Sequence, residues 1–328
     1  MNFKFLHLVI SVFLVFPVSS EEIFFNNHNI HGEDSTFKDF IKWQLSGNKP
    51  DRFSIEMSDE FNLLLKKPKT PYAVWVGHSN FLINNNDINI LTDPIFSKRA
   101  SPISFAGPKR LIPPGINFNL LPDIDVVTVS HAHYDHMDIP TLKRLYEINE
   151  NTLFLVPMNS AKLLLSAGIK NVVEMNWWDT ISLRDTLITF VPVHHWSSRT
   201  PFDKNETLWG GWWFEHSSLK LVHLGDTGYT YDFLTINKEL GSPDFAFIPI
   251  GAYEPRSIMK DSHLNPDEAI QTALDLNATH AIGMHWGTFM LTDEPVQEPP
   301  VLVKNRLKEL DLEGLFTIPI PGKIISLE

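Results

Sequence analysis

One stretch constrains this chain more than any other. Ser130-His131-Ala132-His133-Tyr134-Asp135-His136-Met137-Asp138 follows directly on the apolar strand candidate Val126–Val129. His131, His133, Asp135 and His136 place four metal-binding side chains within six residues. An extended chain end can aim His131 and His133, two residues apart, at one ion. Asp135 and His136 then turn away and can reach a second. Imidazole nitrogen and carboxylate oxygen suit zinc or a similar divalent ion. A loop of merely solvated residues does not account for this pattern after a buried strand.

Further donors follow other apolar strand candidates. His194-His195 follows Leu187–Val193, Asp226 follows Leu219–Leu224 within Gly225-Asp226-Thr227-Gly228, and His285 follows Ala281–Met284. Neighbouring strand residues point to opposite faces, so only one of His194 and His195 can face a metal. Gathered at one sheet edge, these residues complete two metal shells. A carboxylate such as Asp226 can bridge two ions, which lie about 3.5–4 Å apart in such sites. Two divalent ions, zinc foremost, would activate water toward phosphorus or a carbonyl carbon. The chain has no cysteine, so any metal site must use histidine and carboxylate. It also has no G-x-S-x-G elbow.

The 328 residues contain 43% hydrophobic side chains, enough for a sizeable core. Residues 1–20 read as a secretory signal: Lys4, an apolar run from Phe5 to Val18, and small residues before Glu21-Glu22. An uncleaved membrane anchor is the alternative. Residues 21–70 read as an N-terminal arm in which Phe37, Phe40, Ile41 and Leu45 form a short amphipathic helix. Residues 71–328 read as one α/β domain. Its strands begin with Ala73–Val76, Phe81–Ile83 and Ile88–Leu91. Helices are expected at Leu142–Ile148, at Ala161–Leu165, after the capping box Asn265-Pro266-Asp267-Glu268, and at Val301–Leu310.

The formal charge is −12, and loss of Lys4 with the leader makes it one unit more negative. Such a surface repels phosphate backbones and anionic lipid alike, so nucleic acid is not an expected partner. A lipid partner would then be met by apolar contact insensitive to salt. Trp209–Phe214 and Phe37–Leu45 are the aromatic segments that fit this role. The expected location is the periplasm or exterior, with peripheral membrane association.

The H-x-H-x-D-H pattern is the signature of the metallo-β-lactamase superfamily. Longer blocks carry a more specific resemblance: Val76-Gly77-His78, Leu91-Thr92-Asp93-Pro94-Ile95-Phe96, Ala100-Ser101-Pro102, Gly107-Pro108-Lys109-Arg110, His195-Trp196, Gly225-Asp226-Thr227-Gly228-Tyr229, Ile250–Arg256 and His285-Trp286-Gly287-Thr288-Phe289. From about residue 70 to about 303 the chain resembles the N-acyl phosphatidylethanolamine-hydrolysing phospholipases D and their bacterial relatives. The resemblance implies a four-layer αββα sandwich with the site at one edge. It implies one zinc on His131, His133 and His195, a second on Asp135, His136 and His285, and Asp226 between them. It selects His195 over His194, because the family's ligand directly precedes the Trp. It further implies that Asp135 and Asp226 take part in catalysis, that His263 approaches the substrate and that Asp93 supports the metal loop. Tyr253, Glu254 and Arg256 look like a site-rim loop. The implied activity is phospholipase D-type cleavage of an N-acyl phospholipid to an N-acylethanolamine and phosphatidic acid. Hydrolysis of a lactone or another small ester is the alternative reading, a non-catalytic metal-binding protein the third, and a homodimer the expected assembly.

Overall fold

The computed structural model describes residues 24–28, 53–217 and 219–328. The expected leader and the expected helix at Phe37–Leu45 lie outside these residues. Among the described residues, no helix is long and apolar enough to cross a membrane.

Two seven-stranded mixed sheets face each other. The first holds β1 (Tyr72–Gly77), β2 (Asn80–Asn84), β3 (Asn89–Thr92), β4 (Val126–Thr128), β5 (Leu153–Pro157), β6 (Val172–Met175) and β14 (Ile324–Ser326), in the order β14-β1-β2-β3-β4-β5-β6. The second holds β7 (Thr180–Leu183), β8 (Thr186–Val191), β9 (Gly211–His216), β10 (Leu219–His223), β11 (Phe245–Pro249), β12 (His280–Met284) and β13 (Phe316–Thr317), in the order β13-β12-β11-β10-β9-β8-β7.

Strand periodicity builds the layers. In β1, Ala73 and Trp75 enter the core between the sheets, while Tyr72, Val74 and Val76 turn to the outer face. Helices α1 (Glu60–Leu63), α2 (Ile139–Ile148) and α3 (Ala161–Ser166) cover that outer face with Phe61, Leu142, Leu145 and Leu164. After α4 (Asp232–Leu240) and α5 (Arg256–Met259), α6 (Pro266–Asp275) and α7 (Glu298–Glu309) follow. Phe233, Ile236, Ala269, Ala273, Val303 and Leu307 from α4, α6 and α7 join the core of the second sheet. The result is the expected αββα sandwich. The capping box before α6 is formed as expected, with Asn265 and Glu268 each accepting from the other's backbone N–H.

The aromatic segment Trp209–Phe214 is not a lipid-contacting surface. Trp209, Trp212, Trp213 and Phe214 are all buried to within about 1%. Trp212 and Phe214 belong to β9, which has strands on both sides. The Trp212 indole donates to the Val129 carbonyl and the Trp209 indole to the Val193 carbonyl. These rings therefore fill the core and brace the two strand ends that lead into His131 and His195.

Direction in the sheets places the site. Strands β1, β3 and β4 run the same way in the first sheet, and β8, β10, β11 and β12 run the same way in the second. Their C-terminal ends carry His78, Asp93, His131–His136, His195, Asp226, the 250–263 segment and His285. Loops at such ends can converge without disturbing the hydrogen-bonded ladders.

Candidate metal centre

The four-donor segment follows β4 as a tight turn. Met137 N and His136 N both donate to the His133 carbonyl. This turn sends Asp135 and His136 away from His131 and His133. Asp93, just past β3, is fully buried and organises it. Its carboxylate accepts from Ser130 N at 2.6 Å, Ser130 Oγ at 2.8 Å and His136 Nδ1 at 2.8 Å. Ser130 Oγ has spent its proton on Asp93, so it accepts from His131 Nδ1 at 2.9 Å. His195 Nδ1 donates to the Ser262 carbonyl at 2.9 Å. Each bond fixes a tautomer and leaves the Nε2 lone pair of that histidine free.

Those lone pairs meet. His131 Nε2 lies 2.7 Å from His133 Nδ1, which lies 3.4 Å from His195 Nε2. In a second grouping, His136 Nε2 is 3.4 Å from His285 Nε2, and Asp135 Oδ2 is 3.5 Å and 3.6 Å from the two. Asp226 stands between the groupings. Its Oδ2 is 3.1 Å from His136 Nε2 and 3.9 Å from both His131 Nε2 and His195 Nε2; its Oδ1 is 3.0 Å from His285 Nε2. All seven residues expected as ligands are thus gathered, and His195, not His194, faces the cluster. His194 instead ties down the Gly225–Gly228 turn through its backbone, accepting from Gly228 N and donating to Thr227 Oγ1.

Ligand atoms about 2.05 Å from a tetrahedral ion stand about 3.3 Å apart. Most of these separations lie close to that, and imidazole lone pairs facing one another have no other favourable partner. His133 Nε2 is buried without a hydrogen-bond partner, as expected where only the opposite nitrogen is used. The donor set therefore fits a divalent cation, and it forms clusters able to hold one.

Electrostatics agree. Burial pushes His131 and His195 well below the ordinary imidazole value of 6.5 and His133 down to about 4, which keeps them neutral and ligand-competent. Burial acts the same way on His136 and His285, but the Asp226 and Asp135 carboxylates outweigh it. His136 stands well above 6.5 and His285 at about 9. Burial raises Asp135 and Asp226, yet the surrounding histidines hold both well below 3.8. Positive charge is thus favoured where the two carboxylates face the histidines.

His263 Nδ1 lies 3.9 Å from Asp226 Oδ2, with the ring stacked 5.4 Å from His285. Arg256 is not a rim residue. Its guanidinium makes two bonds to Glu268 and donates to the His263 carbonyl at 2.8 Å, so it holds His263 in place. Tyr253 is buried and donates to Glu298, and the Glu254 backbone N donates to Glu294, so this segment anchors the loop from behind.

Two site residues escape the sequence reading. His78 is buried, and its Nε2 donates to Asp135 Oδ2 at 2.9 Å. It follows an apolar strand as His285 does, and that signal was available. Asn27 gave none: its side chain accepts from His195 N and donates to the His195 carbonyl, joining the N-terminal arm to a residue of the cluster. Backbone strain also marks the site, since His78, Asp93 and His285 have φ of 60°, 37° and 64°. Gly225 permits close approach of the loops; a Cβ there would lie 2.5 Å from Ser130 Cβ.

A cleft of about 640 Å³ opens over the cluster. His133, Asp135, His195, Asp226 and His263 line it beside Trp196, Ile258 and Met259, with Arg199 and Lys204 on one side.

Fold and cluster together define a metal-dependent hydrolase of the metallo-β-lactamase fold. Residues 88–286 match the β-lactamase superfamily domain, and the chain belongs to that superfamily. It is 39% identical over 250 residues to N-acyl-phosphatidylethanolamine-hydrolyzing phospholipase D 1 of Caenorhabditis elegans, covering 73% of this chain and 69% of that protein. It is 29% identical over 262 residues to a metal-dependent hydrolase of Methanopyrus kandleri, covering 76% of this chain and 96% of that protein. A solved metallo hydrolase of Ignicoccus hospitalis shares the fold, with a TM-score of 0.60 at 19% identity over 79% of this chain and 98% of that one.

Proposed function

We propose that this protein is a zinc-dependent phosphodiesterase of phospholipase D type, acting on N-acyl phosphatidylethanolamine. The observation that carries the reading is the complete seven-residue cluster at the base of a cleft with both cationic and apolar walls, in a chain 39% identical to a phospholipase of that specificity.

Two zinc ions would be held by His131, His133 and His195, and by Asp135, His136 and His285, with Asp226 shared. Bound there, they would acidify water and offset charge on the phosphoryl oxygens. The chain's own residues do the rest. Asp93 and Ser130 lock the ligand tautomers, and His78 orients Asp135. Burial pushes His263 down to about 4 against the opposing pull of the Asp226 carboxylate, so its neutral ring offers an N–H to a phosphoryl oxygen. Arg199 and Lys204 draw the anionic phosphodiester into the cleft. Water oxygen bonds to phosphorus, the bond from phosphorus to the ethanolamine oxygen breaks, and that oxygen leaves with one of the water's protons while the other stays with the phosphate.

A lactone or small ester would meet the same centre. Purified protein offered long-chain N-acyl phospholipid, a lactone and a soluble phosphodiester separates the readings. Release of N-acylethanolamine supports the phospholipase; turnover of the lactone alone leaves only the hydrolase. Export rests on the leader at residues 1–20 and is tested by sequencing the mature N-terminus.

A further inference from the structure

We infer that the rim of the cleft docks on an anionic lipid surface, through the loop 97–110 and the turn at Phe202. The inference rests on the lipid-substrate reading above. Ser97–Arg110 carries Lys98, Arg99, Lys109 and Arg110 and no Asp or Glu, in a chain with a net charge of −12. The two arginines build the loop. Arg110 donates inward to the Ser97 and Ile95 carbonyls, and Arg99 donates to the Gly107 carbonyl. Backbone bonds Ala100 N to Pro108 O and Arg110 N to Lys98 O close the stem. Lys98 and Lys109 stay exposed at that stem, and Ala100 and Pro108 beside them line the cleft. The tip presents Ile103, 45% exposed, and Phe105, 81% exposed.

The turn at Phe202 repeats the design. Thr200, Pro201 and Lys204 line the cleft, and Phe202 is 90% exposed. Asp203, the one acid in this turn, accepts from Arg199 N, Thr200 N and Ser198 Oγ. Phe202 is thus held outward by a bonded turn.

Apolar tips backed by exposed lysines, on two segments that line one cleft, fit a bilayer interface. The rings enter the acyl boundary while the lysines sit at headgroup level. A nucleic acid would use the lysines and leave Ile103 and Phe105 without a role. A second copy of the chain on this rim would close the cleft to its substrate.

The test is co-sedimentation of the full chain with phosphatidylcholine vesicles, with and without phosphatidylserine, at low and high salt. Parent protein should bind the mixed vesicles about tenfold or more tighter than the neutral ones, and salt should erode the difference. Phe105→Ser with Phe202→Ser, and separately Lys98→Glu with Lys109→Glu, should each lose about tenfold or more. Both should keep parental turnover of a small soluble substrate, which shows that they fold. Failure of the parent to bind mixed vesicles, or equal binding by parent and both variants, overturns the proposal. So does capture of an oligonucleotide duplex that only the lysine variant loses. Vesicle binding without N-acylethanolamine release would sink the phospholipase reading and leave the docking surface standing; release from micelles with unaltered vesicle binding in both variants would do the reverse.

Discussion

Ser130 Oγ shows how much depends on single atoms here. It donates to Asp93 and accepts from His131, so one hydroxyl sets the direction of one ligand and leans on the carboxylate that sets another. Outer partners of this kind typically contribute about 10–100-fold in metal affinity or activity. His78 belongs to the same tier through Asp135. His78→Ala should therefore lower metal content and activity by about that factor, with His78→Gln recovering part of it. Elemental analysis checks this, and full metal content in His78→Ala would remove His78 from the account. His195→Ala should cost orders of magnitude in rate, whereas His194→Ala should keep metal and much of the turnover, since the bonds of His194 to Thr227 and Gly228 are made by its backbone. The reverse pattern would make His194 the ligand. His131 to His136 could be read directly because their donors are contiguous. Asn27 could not, because its contact spans 168 residues of chain and needs the fold to exist first.

Whole elements position the substrate-facing residue. The Asn265–Glu268 capping box opens α6, and Glu268 also holds Arg256, which in turn holds the His263 carbonyl. Arg256→Met should leave metal content intact and lower kcat/KM about tenfold by releasing His263, at a stability cost of about 1–3 kcal/mol for the unpaired Glu268. Steady-state kinetics with metal analysis tests this; an unchanged kcat/KM would show that the loop holds itself. The helix was legible because Asn-Pro-Asp-Glu states its start chemically. Strand β9 was not. A strand buried on both faces shows no alternation, so Trp-Trp-Phe within it reads equally well as an exposed patch until the second sheet covers it.

At the scale of the molecule, net charge proved a poor guide to local surface. The value of −12 is a sum, and it conceals a loop of four cations without an acid. The αββα architecture, by contrast, came with the family resemblance, while the strand ends that each carry a ligand placed the site at one sheet edge. Charge also makes a prediction for the whole chain. His285 is raised from 6.5 to about 9 by Asp226 and Asp135 against the effect of burial. In chelator-treated protein, that proton stabilises the fold fully below about pH 6.5, and the contribution is lost as pH rises through about 9. Tm of the stripped protein should fall across this window, while metal-loaded protein, whose ligands are already deprotonated, should not follow it. Parallel curves would argue that no cation replaces the proton.

On the proposed reading, this cluster cleaves a phosphodiester of an N-acyl phospholipid with water. Turnover of N-acyl phosphatidylethanolamine by metal-loaded protein in oxygen-18 water tests it most directly, with both products analysed by mass. N-acylethanolamine should carry no label and phosphatidic acid one labelled oxygen, and Asp226→Ala should lose both products. Label in the N-acylethanolamine, or no release while a lactone is opened, would contradict it.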